Sequence, residues 1–346
     1  MEYRALSRYR PELMGIAMLW VMCFHAVDLE LGVEGLNFIR SAGFGGVDIF
    51  ILLSAMGLVM SLEHRKTAYG EFMLRRAWRI LPAYFAVMLP YTVFLHFYEE
   101  APWSSVLWNS LLLNYWVRCP GSFNWYVSGA MLFYALTPAF YRHFRDAGRR
   151  EHTVAVWILL GLAVCQILMQ DGYWYYMDFF YRLPVFFLGL LLGFYVLQER
   201  RLQRRDLFAW VLALLLGGVY LIAALKQRAG GSFPLEFPLC HLFLFTTVPM
   251  CLTVCAVFER FGLGWIRGIL GKIGRCSLEI YLLNVSVFSQ LELLRRFVPT
   301  GGSHNRIYYL IMFPVNILLG IGLHHLMRVL LCKNVFKKVF PDKEIK

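Results

Sequence analysis

Long apolar runs separated by short polar clusters set the pattern of this chain. A spanning helix needs about 20 mostly apolar residues. On that measure ten runs qualify, near 12–32, 43–62, 80–98, 124–141, 153–170, 177–197, 207–225, 238–258, 276–293 and 307–331. Residues 103–117, WSSVLWNSLLLNYWV, are apolar but short, and their length predicts an interfacial or re-entrant helix instead of a crossing. The pattern predicts an all-α polytopic membrane protein with ten transmembrane helices. Residues 1–332 would form a single transmembrane domain, and 333–346 a basic cytoplasmic tail.

Charge sharpens this into an orientation. With the N-terminus inside, the cytoplasmic segments are 1–11, 63–79, 142–152, 198–206, 259–275 and the tail from about 328. Of the 34 Lys and Arg, only Arg40, Arg118, Lys226, Arg228, Arg295, Arg296 and Arg306 fall in the opposite loops, and Arg182 falls at or within a span. Such an inside excess is what the positive-inside rule requires, so both termini are expected in the cytoplasm. The net charge of +12 then reports orientation and not nucleic acid as a partner.

Composition agrees. The chain is 59% hydrophobic and only 16% charged over 346 residues, against about 25% charged in an ordinary soluble domain. The eight cysteines are scattered without CxxC spacing, so neither a metal site nor a disulfide framework is expected. The lead EYRALSRYRPE has no signal-peptide character. No GxSxG, HExxH or Walker pattern occurs, which removes support for hydrolase, zinc-protease and ATPase readings.

The informative residues are those that do not belong in a membrane. An ionisable side chain at the centre of a span costs about 3 kcal/mol on insertion scales and usually faces an interior cavity. In LWVMCFHAVDLE, His25 would lie about 18 Å past Leu13, near the midplane. Asp28 follows at i+3, on the same face, where it could orient the imidazole. An interhelical hydrogen bond without chemistry explains the pair equally well. Asp48 sits in the small-residue stretch GFGGVDIFILLSAMG, which close helix packing also explains.

Three further groups complete the candidates. Arg76 and Arg79, at i and i+3 in FMLRRAWRILPAYF, can grip phosphates with planar forks; topology and anionic lipid are the plainer account. Arg182 pairs with Asp178 at i+4, just above Pro184, and Glu279 lies inside the ninth span with Asn284 beyond it. Asn124, Trp125 and Tyr126, in CPGSFNWYVS, form an aromatic rim suited to a sugar or to a membrane interface.

In order along the chain, LMGIAMLWVMCFHA, GGVDIFILLSAMG, RRAWRILPAY, WYVSGAMLFYALTPAF, RLPVFFLGLLLG and SLEIYLLN resemble the acyltransferase 3 family. These are membrane enzymes that move acyl groups, often acetyl, onto sugars of surface and secreted glycans. The resemblance implies a single transmembrane acyltransferase domain in a bacterial cytoplasmic membrane, performing O-acetylation or related polysaccharide modification. It implies His25 as the catalytic base, oriented by Asp28 or Asp48, and Arg76 and Arg79 as the donor-binding pair. Arg182, Glu279 and residues 124–126 would serve the acceptor. Acyl-CoA, with acetyl-CoA expected, would be a substrate, and no cofactor or metal would be permanently bound. The acceptor would be a glycan or lipid-linked sugar; a homo-oligomer is left open. Met14 stands where the family often has a basic residue, with Arg10 one turn earlier, and Asn284 stands where many members have histidine. Two other classes stay open on the residues alone: a transporter or flippase of lipid-linked or acyl substrates, and a catalytically inactive membrane scaffold or sensor.

Overall fold

The computed structural model describes residues 1–65, 67–120, 122–288 and 303–334. Among these, regular structure is helical throughout, apart from one isolated β-bridge between Glu2 and Arg201. The first third contains α1 (Arg4–Arg8), α2 (Arg10–His25), α3 (Glu34–Ser41), α4 (Gly45–Arg65) and α5 (Tyr69–Glu99). The middle contains α6 (Ser104–Ser110), α7 (Tyr126–Asp146), α8 (Arg150–Gln170), α9 (Met177–Phe180) and α10 (Leu183–Leu197). The rest is α11 (Arg204–Arg228), α12 (Leu242–Phe261), α13 (Gly264–Arg275), α14 (Ser277–Leu283) and α15 (Ser303–Asn334), with a π-helical turn, Asn284–Phe288, after α14.

Seven helical stretches among the described residues are long and apolar enough to cross a membrane. The predicted spans near 12–32, 124–141 and 276–293 are not among them. The first is cut short because α2 ends at His25, where an acidic loop begins and Gly32 turns the chain at φ +75°. At 16 residues, α2 is about 24 Å long. α7 ends in the charged run 142–146. α14 is short, and the predicted span's end, with Arg295 and Arg296, lies outside the described residues. So does the predicted tail from 335 onward. The predicted interfacial segment 103–117 is the seven-residue α6 followed by turns.

Pro184 explains the break in the sixth predicted span. Its ring cannot continue a helix from residues upstream but suits the first turn of a new one, so α10 starts at Leu183 with Arg182 as its N-cap. α10 is then buried from Pro184 through Val196 and forms the centre of the molecule against α4. Gly189 and Gly193, spaced GxxxG, allow this approach. A Cβ on Gly189 would lie 2.6 Å from the Leu52 carbonyl oxygen. α2 and α13 cross more tightly still: a Cβ on Gly274 would meet the Pro11 oxygen at 1.8 Å.

Burial then falls outward. The window in 174–197 is 83% buried, while those in 204–228 and 306–330 are 11% buried although highly apolar. Apolar and exposed together describe a face that meets hydrocarbon. The polar ends sort as well. Arg4–Glu199 at 2.7 Å, Arg8–Glu259 at 3.2 Å and Arg200–Glu151 at 3.2 Å tie four of the basic segments to one another, and Arg200–Asp206 at 2.6 Å lies within one of them. A Tyr141–Glu63 hydrogen bond joins the ends of α7 and α4 to the same face.

Candidate active site

Two cavities enter the bundle and share walls at Val47 and Tyr281. The first, of about 400 Å³, is basic: Arg10, Arg76, Arg79 and Arg275 line it, and Glu279 is the one carboxylate among its described lining residues. Arg76 and Arg79 point the same way because they are one turn apart on α5. The neighbouring Arg75 turns aside to pair with Glu71. Arg76 is held by donating to Ser61 Oγ at 2.7 Å and by lying over the Phe72 ring at 5.3 Å.

Arg10 supplies the charge that Met14 lacks. α2 starts at Arg10 with Pro11 in its first turn, the one helical place where a missing N–H leaves no bond unmade. Its guanidinium packs on the bare α-carbon of Gly57, where a Cβ would lie 2.6 Å from Nη1. Met14 lines the same cavity. Glu279 faces this basic cavity too and is bonded to His324 Nδ1 at 2.9 Å. The structure therefore brings Glu279 to the arginines and not to the groups expected to hold an acceptor.

The second cavity, of about 710 Å³, has mixed charge: Arg182 and Arg228 face it along with Asp178 and Glu236, and His25 and Trp125 complete the part that matters here. Arg182 is 2% exposed. It donates from Nη1 to the Asp178 carbonyl oxygen at 2.8 Å, lies 3.5 Å from Asp178 Oδ1, and stacks over Trp125 at 5.0 Å. Of the expected aromatic rim, Trp125 is here, Tyr126 faces the basic cavity, and Asn124 lines neither. Asn124 Oδ1 instead accepts the Val127 N–H at 3.1 Å, securing the start of α7.

His25 is the C-terminal residue of α2. Its Nδ1 meets Asn284 Oδ1 at 2.5 Å. With an amide oxygen as partner, Nδ1 carries the proton and Nε2 presents its lone pair, the tautomer a base requires. Asp28 is not one helical turn beyond His25, because the helix has ended and residues 27–28 form a turn. Asp48 is 1% exposed, and neither carboxylate oxygen has a hydrogen-bond partner among the described residues. Arg182 is the charge that acts on it, and Asp48 lines neither of the two cavities. The orienting residue that sequence reasoning did not assign is Asn284. Its signal was a polar side chain at the inner end of SLEIYLLN.

The arrangement puts an imidazole at a mixed-charge cavity, and a cluster of four arginines in a separate one. Comparison with known proteins points the same way in kind. No curated protein and no solved structure matches the chain. A family model described as an acyltransferase domain matches residues 13–325, which takes in α2 through most of α15. This chain belongs to the acyltransferase 3 family.

Proposed function

We propose that the protein is a membrane O-acyltransferase that moves an acyl group, acetyl in the first instance, from acyl-CoA to a hydroxyl of a cell-surface or exopolysaccharide sugar. The observation that carries this reading is the pairing of His25 with Asn284 at one cavity beside a four-arginine cavity across the Val47–Tyr281 wall. Arg10, Arg76, Arg79 and Arg275 would take the phosphates of CoA, with charge-assisted forks suited to them. The sugar would occupy the mixed cavity, with Arg182 and Trp125 against it. His25 Nε2 removes the proton of the acceptor hydroxyl as its oxygen bonds to the thioester carbonyl carbon. The C–S bond then breaks, and the CoA sulfur leaves and takes up a proton.

The reading includes ten crossings with both termini in the cytoplasm of a bacterial cell, and one acyltransferase domain over 1–332. The ion pairs that gather segments 1–11, 142–152, 198–206 and 259–275 on one face support a common side for them. That side also holds the start of α5, so donor would enter from the cytoplasm. Purified protein supplied with labelled acetyl-CoA tests the function. Release of CoA with labelled product, lost in His25→Ala and Arg76→Ala proteins that still insert and accumulate, is the expected result. Normal transfer by His25→Ala would remove the catalytic assignment, and movement of substrate across vesicles without acylation would favour a transporter.

A further inference from the structure

A third, smaller cavity lies on α2, the turn after α14, and α15. It measures about 260 Å³, and His25 and Asn284 line it together with Asn316. The remaining wall is largely apolar or aromatic, including Met22, Met312 and Phe313. Asn316 is 1% exposed, and neither its Nδ2 nor its Oδ1 has a hydrogen-bond partner among the described residues. An amide left so is unfavourable, and a bound polar group would remove that cost.

Packing places this amide beside the catalytic pair. α15 presses on α14 at Gly320, where a Cβ would lie 2.4 Å from Ile280 Cγ1, and Glu279, the residue before Ile280, bonds to His324, one turn after Gly320, as an antiparallel pairing of the two helices requires. One turn onward along α14, and one turn back along α15, the facing residues are Asn284 and Asn316. Met312 and Tyr309 continue the Asn316 face at helical spacing.

Taking the acyltransferase reading as its premise, we infer that this cavity is the acyl pocket of the donor, and that Asn316 donates from Nδ2 to the thioester carbonyl oxygen at its mouth. As the acceptor oxygen adds to the carbonyl carbon, negative charge grows on that oxygen, and a fixed amide N–H in a water-poor site stabilises it. At about 30 Å³ per water-sized group, the cavity holds roughly eight such groups, more than acetyl fills. The substrate class therefore extends to acyl chains of several carbons.

Unreactive analogues test this without an acceptor. Full-length protein in lipid nanodiscs is titrated with CoA, with 2-oxopropyl-CoA and 2-oxoheptyl-CoA, which keep the carbonyl but have no thioester to cleave, and with heptyl-CoA, which lacks it. Wild type should bind 2-oxoheptyl-CoA at least tenfold more tightly than 2-oxopropyl-CoA, and about fivefold more tightly than heptyl-CoA. Asn316→Leu should erase the carbonyl preference, and Met312→Trp the chain-length preference, while both proteins still bind CoA and so are folded. Wild type that binds CoA and all three analogues with one affinity overturns the acyl pocket alone. A wild-type protein that binds neither CoA nor any analogue overturns the acyltransferase reading together with it.

Discussion

The basic cavity and the mixed-charge cavity lie back to back across Val47 and Tyr281, yet they solve opposite electrostatic problems. In the basic one, four guanidinium groups and one carboxylate face the space among the described residues, and that carboxylate is bonded to His324. Like charges held so close repel one another and await an anion. In the mixed one, Arg182 rests against Asp178, with Trp125 beneath it, and positive and negative groups are equal in number at the wall. Such a surface has no unmet net charge and offers donors, acceptors and a ring face, the chemistry of a neutral polyol. On the proposed reading, the difference teaches that the two substrates would be separated by charge as well as by position.

If that division is right, the largest effect belongs to the residue of the mixed cavity that performs chemistry. His25→Ala should lower acyl transfer by at least about 10²-fold, within the range for loss of a general base, while CoA affinity stays near wild type. Turnover and equilibrium binding measured on the same preparation check both halves. A matching fall in CoA affinity would mean that the two cavities do not divide the work as described.

The converse loss is next in size. Arg76→Ala should weaken CoA binding by about 10- to 100-fold, the range expected for one charge-assisted hydrogen bond, with a further fall as salt rises. Arg76→Lys should recover only part, because an ammonium keeps the charge without the planar fork. Titration of each variant with CoA at two salt concentrations reads this directly.

How much of this was legible in the sequence follows from the same contrast. The arginine pair lies on one helix at i, i+3, so periodicity alone brings Arg76 and Arg79 together. The central helices were legible as apolar runs, but the break at Pro184 inside one of them was not. The His25 environment was not legible. Its partner Asn284 is 259 residues away, and only the packing of α14 beside α2 makes them neighbours. Asp28 looked like that partner because the apolar run was extended through it, whereas the acidic loop with Gly32 ends the helix first. Trp125 and Tyr126 were grouped as one rim, but adjacent residues entering a helix diverge by about 100°, and they face different cavities. Arg10 is legible only as lying one turn before Met14; that Pro11 takes the first turn of α2 and so brings Arg10 into the helix comes from the structure.

Asn284 offers an intermediate test of the mixed side. Asn284→Ala removes the acceptor of the Nδ1 proton without touching any basic-cavity arginine, so transfer should fall about tenfold as the imidazole loses its fixed tautomer. Asn284→Asp restores an oxygen acceptor and should regain part of the rate. A structural role alone predicts equal losses in both variants, so their turnover ratio is the measurement that separates the two accounts.

The smallest expected effect bears on why the basic cavity has its fourth charge where it does. Gly57 is far from the other cavity-lining arginines in sequence, but its missing side chain is the space that the Arg10 guanidinium fills. Adding one methyl at 2.6 Å from Nη1 forces Arg10 to shift, since that separation is well inside van der Waals contact. The side chain is flexible, so the shift is cheap for folding and costly only for the anion it helps to hold. Gly57→Ala should therefore leave thermal stability within about 1 kcal/mol and weaken CoA binding by a few-fold, in the direction of Arg10→Ala. The double variant should be no weaker than Arg10→Ala alone, because both changes act through one guanidinium. Additive losses in that cycle would mean that Gly57 acts through helix packing and not through the Arg10 guanidinium.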